Sequence, residues 1–260
     1  MNSVYFDNIQ RPGRWSEFSS ALRFISDREI PLKLSGKADL LYKFHRISSR
    51  VDCPHTQSEM LSLLRSAFSA SRNASGVFVE AGCYKGGSSA KFSLAAKLTG
   101  RKLFLFDSFR GIPQHEENHT TNIYGRPVTF SQGEYSGSLD EVTRNISHYG
   151  NLESCEFIPG WLESTLPHFK EEVALAYLDV DLASSTKTCI KHLYPLIQPG
   201  GILMSQDGHL PLVIDVFNDD RFWEEEVGVL KPLVEGLGKQ KLIRIVKPLS
   251  ELEQFQESGQ

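Results

Sequence analysis

The sequence has 260 residues, of which 40% are hydrophobic and 23% are charged, a composition typical of a globular domain with a full hydrophobic core. Its formal net charge of −4 disfavours a nucleic-acid-binding protein, because that class usually carries a surplus of basic residues. No run approaches the ~18 apolar residues of a membrane span, and the first residues lack the apolar core of a signal peptide, so we predict a cytoplasmic protein without a membrane partner.

Four cysteines occur at positions 53, 83, 155 and 189, at spacings that match neither a zinc module nor a disulfide framework. Cys83, Cys155 and Cys189 lie among apolar residues, which predicts buried free thiols. Free thiols suit the reducing cytoplasm.

Residues 1–50 have weak helical patterning and are interpreted as a peripheral cap rather than as a separate domain. The capping-box pair Thr56 and Glu59 then precedes an apolar pattern that predicts an amphipathic helix. From residue 77 onwards, short apolar runs predict strands and periodic segments predict helices. The predicted strands are residues 77–82, 103–107, 155–160, 173–181, 201–207 and 241–247. The predicted helices are residues 88–98, 139–149, 185–197 and 210–217, with a turn at 198–201.

This alternation of buried strands and helices predicts an α/β fold, in which helices cover both faces of a parallel sheet. One long polar segment, residues 109–138, interrupts the pattern. A loop of this length in a compact domain is usually functional or disordered. Its His115, His119 and Tyr124 are interpreted first as solvated loop residues and second as contacts to an acceptor.

Polar residues follow five consecutive predicted strands, at the edge where open parallel sheets bind ligands. They are Glu80 and Gly82, then Asp107 and Ser108, then Gly160, Trp161 and Glu163, then Asp179 and Asp181, then Gln206, Asp207 and His209. Loops are polar in general, but five strand ends in a row with acids or glycines favour a single ligand site.

The first strand leads into a glycine-rich turn, EAGCYKGGSS, whose spacing matches neither a dinucleotide fingerprint nor a P-loop. Gly82 and Gly86 allow a ligand to approach the backbone closely, although tight helix–strand packing would explain one glycine equally well. Asp107 ends the second strand, where a carboxylate accepts both hydroxyls of a ribose. The turn and Asp107 together indicate an adenosine-containing cofactor.

Acids at positions 80, 107, 179 and 181 make this predicted site electronegative. A dinucleotide carries a negative pyrophosphate, whereas S-adenosylmethionine carries a sulfonium and an ammonium group. Coulomb energy therefore favours S-adenosylmethionine over NAD and disfavours a dehydrogenase.

A series of segments in chain order resembles the macrocin O-methyltransferase family over roughly residues 50–210. The segments are VEAGCYKGGSS (79–89), FDSFRGIP (106–113), SLDEV (138–142), GWLESTLP (160–167), YLDVDLASST (177–186) and PGGILMSQDGH (199–209). The resemblance implies a metal-assisted class I enzyme that methylates sugar hydroxyls of natural products with S-adenosylmethionine. It implies a Rossmann-like, doubly wound, mostly parallel seven-stranded sheet with an N-terminal helical cap. We accordingly divide the chain into a cap or lid at 1–50, a methyltransferase domain at 51–248 and a solvated tail at 249–260.

Carried over residue by residue, the resemblance implies a cofactor site and a base. Glu80, Gly82 and Ser88 would line the methionine end, Asp107 and Ser108 would hold the ribose, Ser138 would lie near the adenine, and Asp179 would lie close to the transferable methyl. Asp181 would be the general base that takes the proton of the acceptor.

The family ends its fifth strand with two adjacent acids, both metal ligands, followed by an aromatic residue. Here the matching residues are Gln206, Asp207 and Gly208. Asp179, Gln206 and Asp207 could still supply three oxygens to Mg²⁺, which prefers hard oxygen ligands, and the metal would acidify an acceptor hydroxyl. The alternatives are a metal-free enzyme with His209 as the base and a cofactor-binding module without turnover.

Simpler structural roles stay open for several of these residues. Asp181 could cap the next helix, and His209 could be a turn residue that caps the helix beginning at Leu210. Phe222 and Trp223 could fill a core rather than wall an acceptor pocket. His55 precedes the capping-box helix and could reach the cofactor. The predicted partner is a small polar acceptor, a sugar or a glycosylated natural product, and the sequence leaves homo-oligomerisation open.

Overall fold

A six-stranded sheet forms the centre of the computed structural model, which describes residues 14–249. Its strands are β1 (Val77–Ala81), β2 (Leu103–Asp107), β3 (Cys155–Pro159), β4 (Val173–Leu178), β5 (Ile197–Ser205) and β6 (Ile243–Val246). The spatial order is β3-β2-β1-β4-β5-β6, and only β6 is antiparallel to its neighbour. The strand order reverses between β1 and β4, which places a crevice at the carboxyl ends of these two strands.

Helices cover both faces of the sheet. They are α1 (Arg14–Ser26), α2 (Leu34–Arg50), α3 (Gln57–Asn73), α4 (Gly87–Thr99), α5 (Leu139–Tyr149), α6 (Leu162–Thr165), α7 (Ala183–Leu193) and α8 (Pro211–Asn218). Helices α1 to α5 contribute to one hydrophobic cluster, and α7 and α8 contribute to the other. The predicted doubly wound α/β architecture is therefore confirmed.

Strand β4 shows why the sequences of the strands are continuous apolar runs. Successive side chains of a strand point to opposite faces, so Leu175 and Tyr177 join the first cluster while Ala176 and Leu178 join the second. All six residues of β4 are buried. Apolar side chains are needed on both faces, and no alternation with polar residues remains.

Residues 14–50 form two helices that share the core of the sheet. Phe24 of α1 and Leu40 and Phe44 of α2 belong to the same cluster as α3 and α4. Helix α3 begins after Thr56, whose side chain forms the predicted capping box with Glu59. Residues 1–13 of the predicted cap and residues 250–260 of the predicted tail lie outside the described residues.

The sheet has six strands rather than the predicted seven in the part of the chain that the structure describes, and one isolated bridge extends it. Glu235 and Arg244 exchange backbone hydrogen bonds of 2.8 and 3.2 Å at the outer edge of β6.

The segment before β5 also differs from its prediction. Helix α7 ends at Leu193 and a 3₁₀ turn follows at Tyr194–Leu196, because Pro195 cannot donate a helical hydrogen bond. The predicted turn at 198–201 is instead part of β5, where the pairing with β4 shifts register between Val173 and Leu175. Between residues 14 and 249, no helix has the length and apolarity that crossing a membrane requires.

Candidate active site

A cavity of about 660 Å³ lies at the carboxyl ends of β1, β2 and β4. Residues at the strand ends line it, among them Gly82, Asp107, Asp179, Asp181 and His209. The long loop supplies a further part of the lining, including Ile112, Tyr124, Arg126, Phe130 and Tyr135. The volume lies in the range of sites that hold small molecules, and the position is the switch point at which open α/β sheets bind ligands.

The long loop is ordered against the strand ends. The N–H of Ile123 donates to the carbonyl of His209 at 3.0 Å, and the ring of Tyr124 stacks on that of His209. His119 is buried and lies 3.0 Å from Glu117, and His115 contacts the carbonyl of Phe130 at 3.2 Å. Only Tyr124 of the three predicted loop contacts lines the cavity.

Asp107 is fixed by the turn that follows β1. The backbone N–H of Cys83 donates to one carboxylate oxygen and that of Phe109 to the other, each at 2.6 Å. Burial nevertheless raises the pKa of Asp107. Asp107 and Ser108 both line the cavity, although the Ser108 hydroxyl already donates to the carbonyl of Gly111 at 3.1 Å.

Three other predicted cofactor residues do not line the cavity. Glu80 is fully buried in β1, where Ser88 donates to Oε1 at 2.5 Å and Oε2 has no partner among the described residues. Burial raises the pKa of Glu80 to about 8. Ser138 instead caps α5, because its hydroxyl accepts from the N–H of Glu141 at 3.2 Å. Direct contact of these three side chains with a cofactor stays a prediction.

Asp179 forms an ion pair with His55, which comes from the segment before α3. Nε2 of His55 lies 2.8 Å from Oδ2 of Asp179. Burial opposes the charge on both groups, but their attraction lowers the pKa of Asp179 and, with Cys53, raises that of His55 to about 10. The sequence suggested that His55 could reach the cofactor but did not indicate its pairing with Asp179.

Asp181 lines the cavity, and a different residue caps α7. The N–H groups of Ala183 and Ser184 both donate to Glu117, at 2.8 Å each, so the role of helix cap belongs to the loop residue. Asp181 has a φ of 60°, a strained conformation that is enriched at functional sites. Burial and the charges of Asp207 and Asp179 raise the pKa of Asp181 well above its ordinary value.

His209 lines the cavity beside Tyr124 and is not a helix cap. Helix α8 has Leu210 as its N-cap, and Nδ1 of His209 is buried with no partner among the described residues. Burial and the nearby ammonium of Lys241 lower the pKa of His209 to about 3. The imidazole is therefore neutral and binds a proton only weakly.

The three predicted metal ligands differ in their position relative to the cavity. Gln206 is fully buried behind the cavity and its Oε1 accepts from the hydroxyl of Tyr177 at 3.2 Å. Asp207 is buried too, and its Oδ2 accepts from the N–H groups of Val180 and Asp181, at 3.1 Å each. Only Asp179 of the three lines the cavity. In residues 14–249, no three His, Cys, Asp or Glu side chains are arranged to hold a metal ion, and binding of Mg²⁺ by Asp179, Gln206 and Asp207 stays a prediction.

Phe222 and Trp223 fill the second hydrophobic cluster and do not wall the cavity. Trp161 does line it. Cys83 and Cys189 are buried free thiols as predicted, whereas Cys155 is only partly buried.

Cys53 lies beside two cations at the edge of the His55–Asp179 pair. Its Sγ is 3.4 Å from Nδ1 of His55 and 3.5 Å from Nζ of Lys91. Burial alone would raise the pKa of this thiol, but the two positive charges lower it from 9.0 to about 6.

Because the thiolate is the reactive form, we expect iodoacetamide to alkylate Cys53 with a rate that is half-maximal near pH 6, as followed by peptide mass spectrometry. Cys83 and Cys189 should stay unmodified in the folded protein, since burial raises the pKa of both thiols. The variant His55→Asn should move the Cys53 midpoint upwards. A wild-type midpoint near 9 would contradict the assigned thiolate.

Solved structures identify the class of protein that this fold defines. The O-methyltransferase NovP superposes with a TM-score of 0.61 at 21% identity, over 75% of this chain and 82% of that chain. The calicheamicin methyltransferase CalS11 gives a TM-score of 0.56 at 16% identity, over 90% and 93%. The S-adenosylhomocysteine-bound methyltransferase PaMTH1 from Podospora anserina gives 0.52 at 13% identity, over 95% and 99%. These likenesses show the class I methyltransferase fold.

The chain belongs to the macrocin O-methyltransferase (TylF) family, whose profile matches residues 58–233. It is 30% identical over 171 residues to the 8-demethyl-8-(2,3-dimethoxy-alpha-L-rhamnosyl)-tetracenomycin-C 4'-O-methyltransferase of Streptomyces olivaceus, covering 63% of this chain and 64% of that protein. It is 28% identical over 167 residues to the mycinamicin III 3''-O-methyltransferase of Micromonospora griseorubida, covering 62% and 65%. The matches thus span less than two thirds of these relatives. The predicted family is confirmed.

Proposed function

We propose that this protein transfers the methyl group of S-adenosylmethionine to a hydroxyl of a sugar or of a glycosylated small molecule. The observation that carries the proposal is that Asp107 and Asp181 line one cavity at the switch point of a class I methyltransferase fold. Two relatives are named as O-methyltransferases of a rhamnosyl tetracenomycin and of mycinamicin III, which supports a glycosylated acceptor.

The acids that line the cavity support S-adenosylmethionine as the cofactor. Asp107 keeps lone pairs beyond its two backbone hydrogen bonds, and a ribose diol can donate to them. Glu59, Asp179 and Asp181 also line the cavity, so acids surround a ligand that carries a sulfonium and an ammonium group. A pyrophosphate would meet the same acids with a repulsive charge.

Asp181 is the better of the two candidate bases. In the reaction the acceptor oxygen bonds to the methyl carbon, the carbon–sulfur bond breaks with its electron pair on sulfur, and the hydroxyl proton passes to the base. A base takes that proton well when its pKa is close to the working pH. Burial and neighbouring acids raise the pKa of Asp181 well above its ordinary value, which makes its carboxylate a stronger base, whereas the pKa of about 3 of His209 makes its imidazole a weak one.

Calorimetry with S-adenosylhomocysteine and with NAD tests the cofactor. We expect saturable binding of S-adenosylhomocysteine and none of NAD. Asp107→Asn should weaken that binding by about tenfold, since one charged acceptor is lost, while Asp140→Asn on the exposed first turn of α5 should not change it. Binding of NAD alone would overturn the proposal.

Mass spectrometry of a panel of glycosylated acceptors, each incubated with the protein and S-adenosylmethionine, tests the transfer. A mass gain of one methyl group on a sugar hydroxyl is expected. Cofactor binding without methylation of any acceptor would favour a cofactor-binding module, the alternative raised by Gln206 in the place of the family's acid.

A further inference from the structure

Lys241 contributes a positive charge to the cavity, among acids that the proposed function assigns to the cofactor and to the base. Its side chain lines the cavity just ahead of β6. Burial opposes its charge, but Glu59, Asp179, Asp207 and Asp181 together raise the pKa of Lys241. The ammonium therefore stays protonated inside a cluster of acids.

Lys241 enters the cavity near acids that follow β4 and β5. Asp179 and Asp181 follow β4, and Asp207 follows β5. Glu59, the fourth of these acids, lies in α3 and also lines the cavity. The backbone of Lys241 is held beside the end of β5 by the N–H of Gly208, and Lys241 and the candidate base Asp181 line the same cavity.

The ammonium of Lys241 is not paired directly with any of the acids that stabilise its charge. Among the described residues, no carboxylate lies close enough to Nζ to form a direct ion pair. Its hydrogen-bond donors are thus free for an oxygen of a ligand, while the acids hold its charge in place from a longer distance.

Gly208 allows this lysine to reach the site. The N–H of Gly208 donates to the carbonyl of Lys241 at 2.9 Å, which ties the start of β6 to the end of β5. A Cβ on residue 208 would lie 2.2 Å from Cγ2 of Ile243 and 3.1 Å from the carbonyl oxygen of Lys241. Any larger residue at 208 would push this segment away from the cavity.

We propose that the ammonium of Lys241 is the cation of the acceptor site and binds the hydroxyl that receives the methyl group, in the place where a divalent metal would otherwise act. This inference rests on the proposed methyl transfer. The buried positions of Gln206 and Asp207 leave the acidic cluster without a metal donor set, and Lys241 supplies the positive charge instead. Its hydrogen bond to the acceptor oxygen stabilises the negative charge that develops there as the proton passes to Asp181. The lysine remains protonated throughout, so the proton balance is unchanged.

The first test compares two lysines of the same segment. Lys241→Met should lower kcat/KM for the acceptor by about 10²-fold, as expected for loss of one donor to a developing oxyanion, and leave the Kd of S-adenosylhomocysteine within about twofold. Lys241→Arg should recover part of the loss, and Lys239→Met, at an exposed position, should have no effect. A loss confined to cofactor affinity, or unchanged kcat/KM in Lys241→Met, would overturn the proposal.

The second test needs no variant. Wild-type turnover should be the same in EDTA and in added Mg²⁺, and electron paramagnetic resonance should show no saturable Mn²⁺ binding up to about 1 mM. Turnover that EDTA abolishes and Mg²⁺ restores would overturn the proposal, as would tight Mn²⁺ binding. The Mn²⁺ measurement does not depend on turnover. It therefore also tests whether a metal occupies the place assigned to Lys241, even if methyl transfer itself is refuted.

Discussion

Asp181→Asn is expected to lower kcat by at least about 10²-fold, the contribution of a general base, with little change in the Kd of S-adenosylhomocysteine. The amide has the shape of the carboxylate but cannot take the acceptor proton. Asparagine also tolerates the positive φ of this residue, because Asn and Asp are the non-glycine residues that adopt this conformation most readily. The fold should therefore be retained, and steady-state kinetics with calorimetry will separate catalysis from binding.

The matched variant for this test is His209→Asn on the same cavity. It should reduce kcat much less, because the weakly basic imidazole is not the proton acceptor. The pH profile gives an independent readout, since the wild-type rate should rise with pH as Asp181 loses its proton, and Asp181→Asn should lack that rise. A larger effect at His209 than at Asp181 would reverse the assignment of the base.

The sheet and the position of the site follow from local features of the sequence. Short apolar runs such as 173–178 have to be buried on both faces, so they identify β4 and its neighbours directly. Parallel strands bring their carboxyl ends to one edge, which is why Gly82, Asp107, Asp179 and Asp181 could be assigned to a common cavity before any coordinates. The Thr56–Glu59 capping box is equally local.

The direction in which a polar side chain points at a strand end does not follow from the same pattern. Gln206 and Asp207 stand at the predicted edge, yet one bonds Tyr177 inside the sheet and the other bonds two backbone N–H groups. Asp207 thereby holds the loop after β4 to the end of β5. Both side chains supply hydrogen bonds to buried polar groups. These groups can be identified only when the positions of the neighbouring strands are known.

Interactions between distant segments of the chain could not be predicted from the sequence either. Glu117 caps α7 from the long loop, and this freed Asp181 from the capping role that the sequence had left open. Lys241 interacts with the charges of acids that follow β4 and β5, and His55 from the segment before α3 pairs with Asp179. Each of these interactions joins residues that are far apart in the chain, so no local periodicity or spacing predicts it. The only local signal was Gly208, which marks a close backbone approach.

Gly82→Ala should be the most damaging single substitution at the site. A Cβ on Gly82 would lie 2.0 Å from the backbone carbonyl oxygen of Asp179, and the residue has a φ of +88°. The neighbour is backbone and cannot rotate away, so β1 and β4 would have to separate at their carboxyl ends. Strain at a positive φ and overpacking each cost about 1–3 kcal/mol, so we expect a loss of about 4 kcal/mol in the free energy of unfolding. Denaturant titration measures this loss.

Gly100→Ala separates the two causes. Gly100 ends α4 with a φ of +68°, but a Cβ there has no atom within 4 Å. The control variant should therefore lose only the conformational cost, about 1 kcal/mol, and keep full affinity for S-adenosylhomocysteine. Gly82→Ala should weaken that affinity as well, because Asp179 and the turn that holds Asp107 would both move. Equal destabilisation in the two variants would show that the close approach of β1 to β4 is not what requires a glycine at position 82.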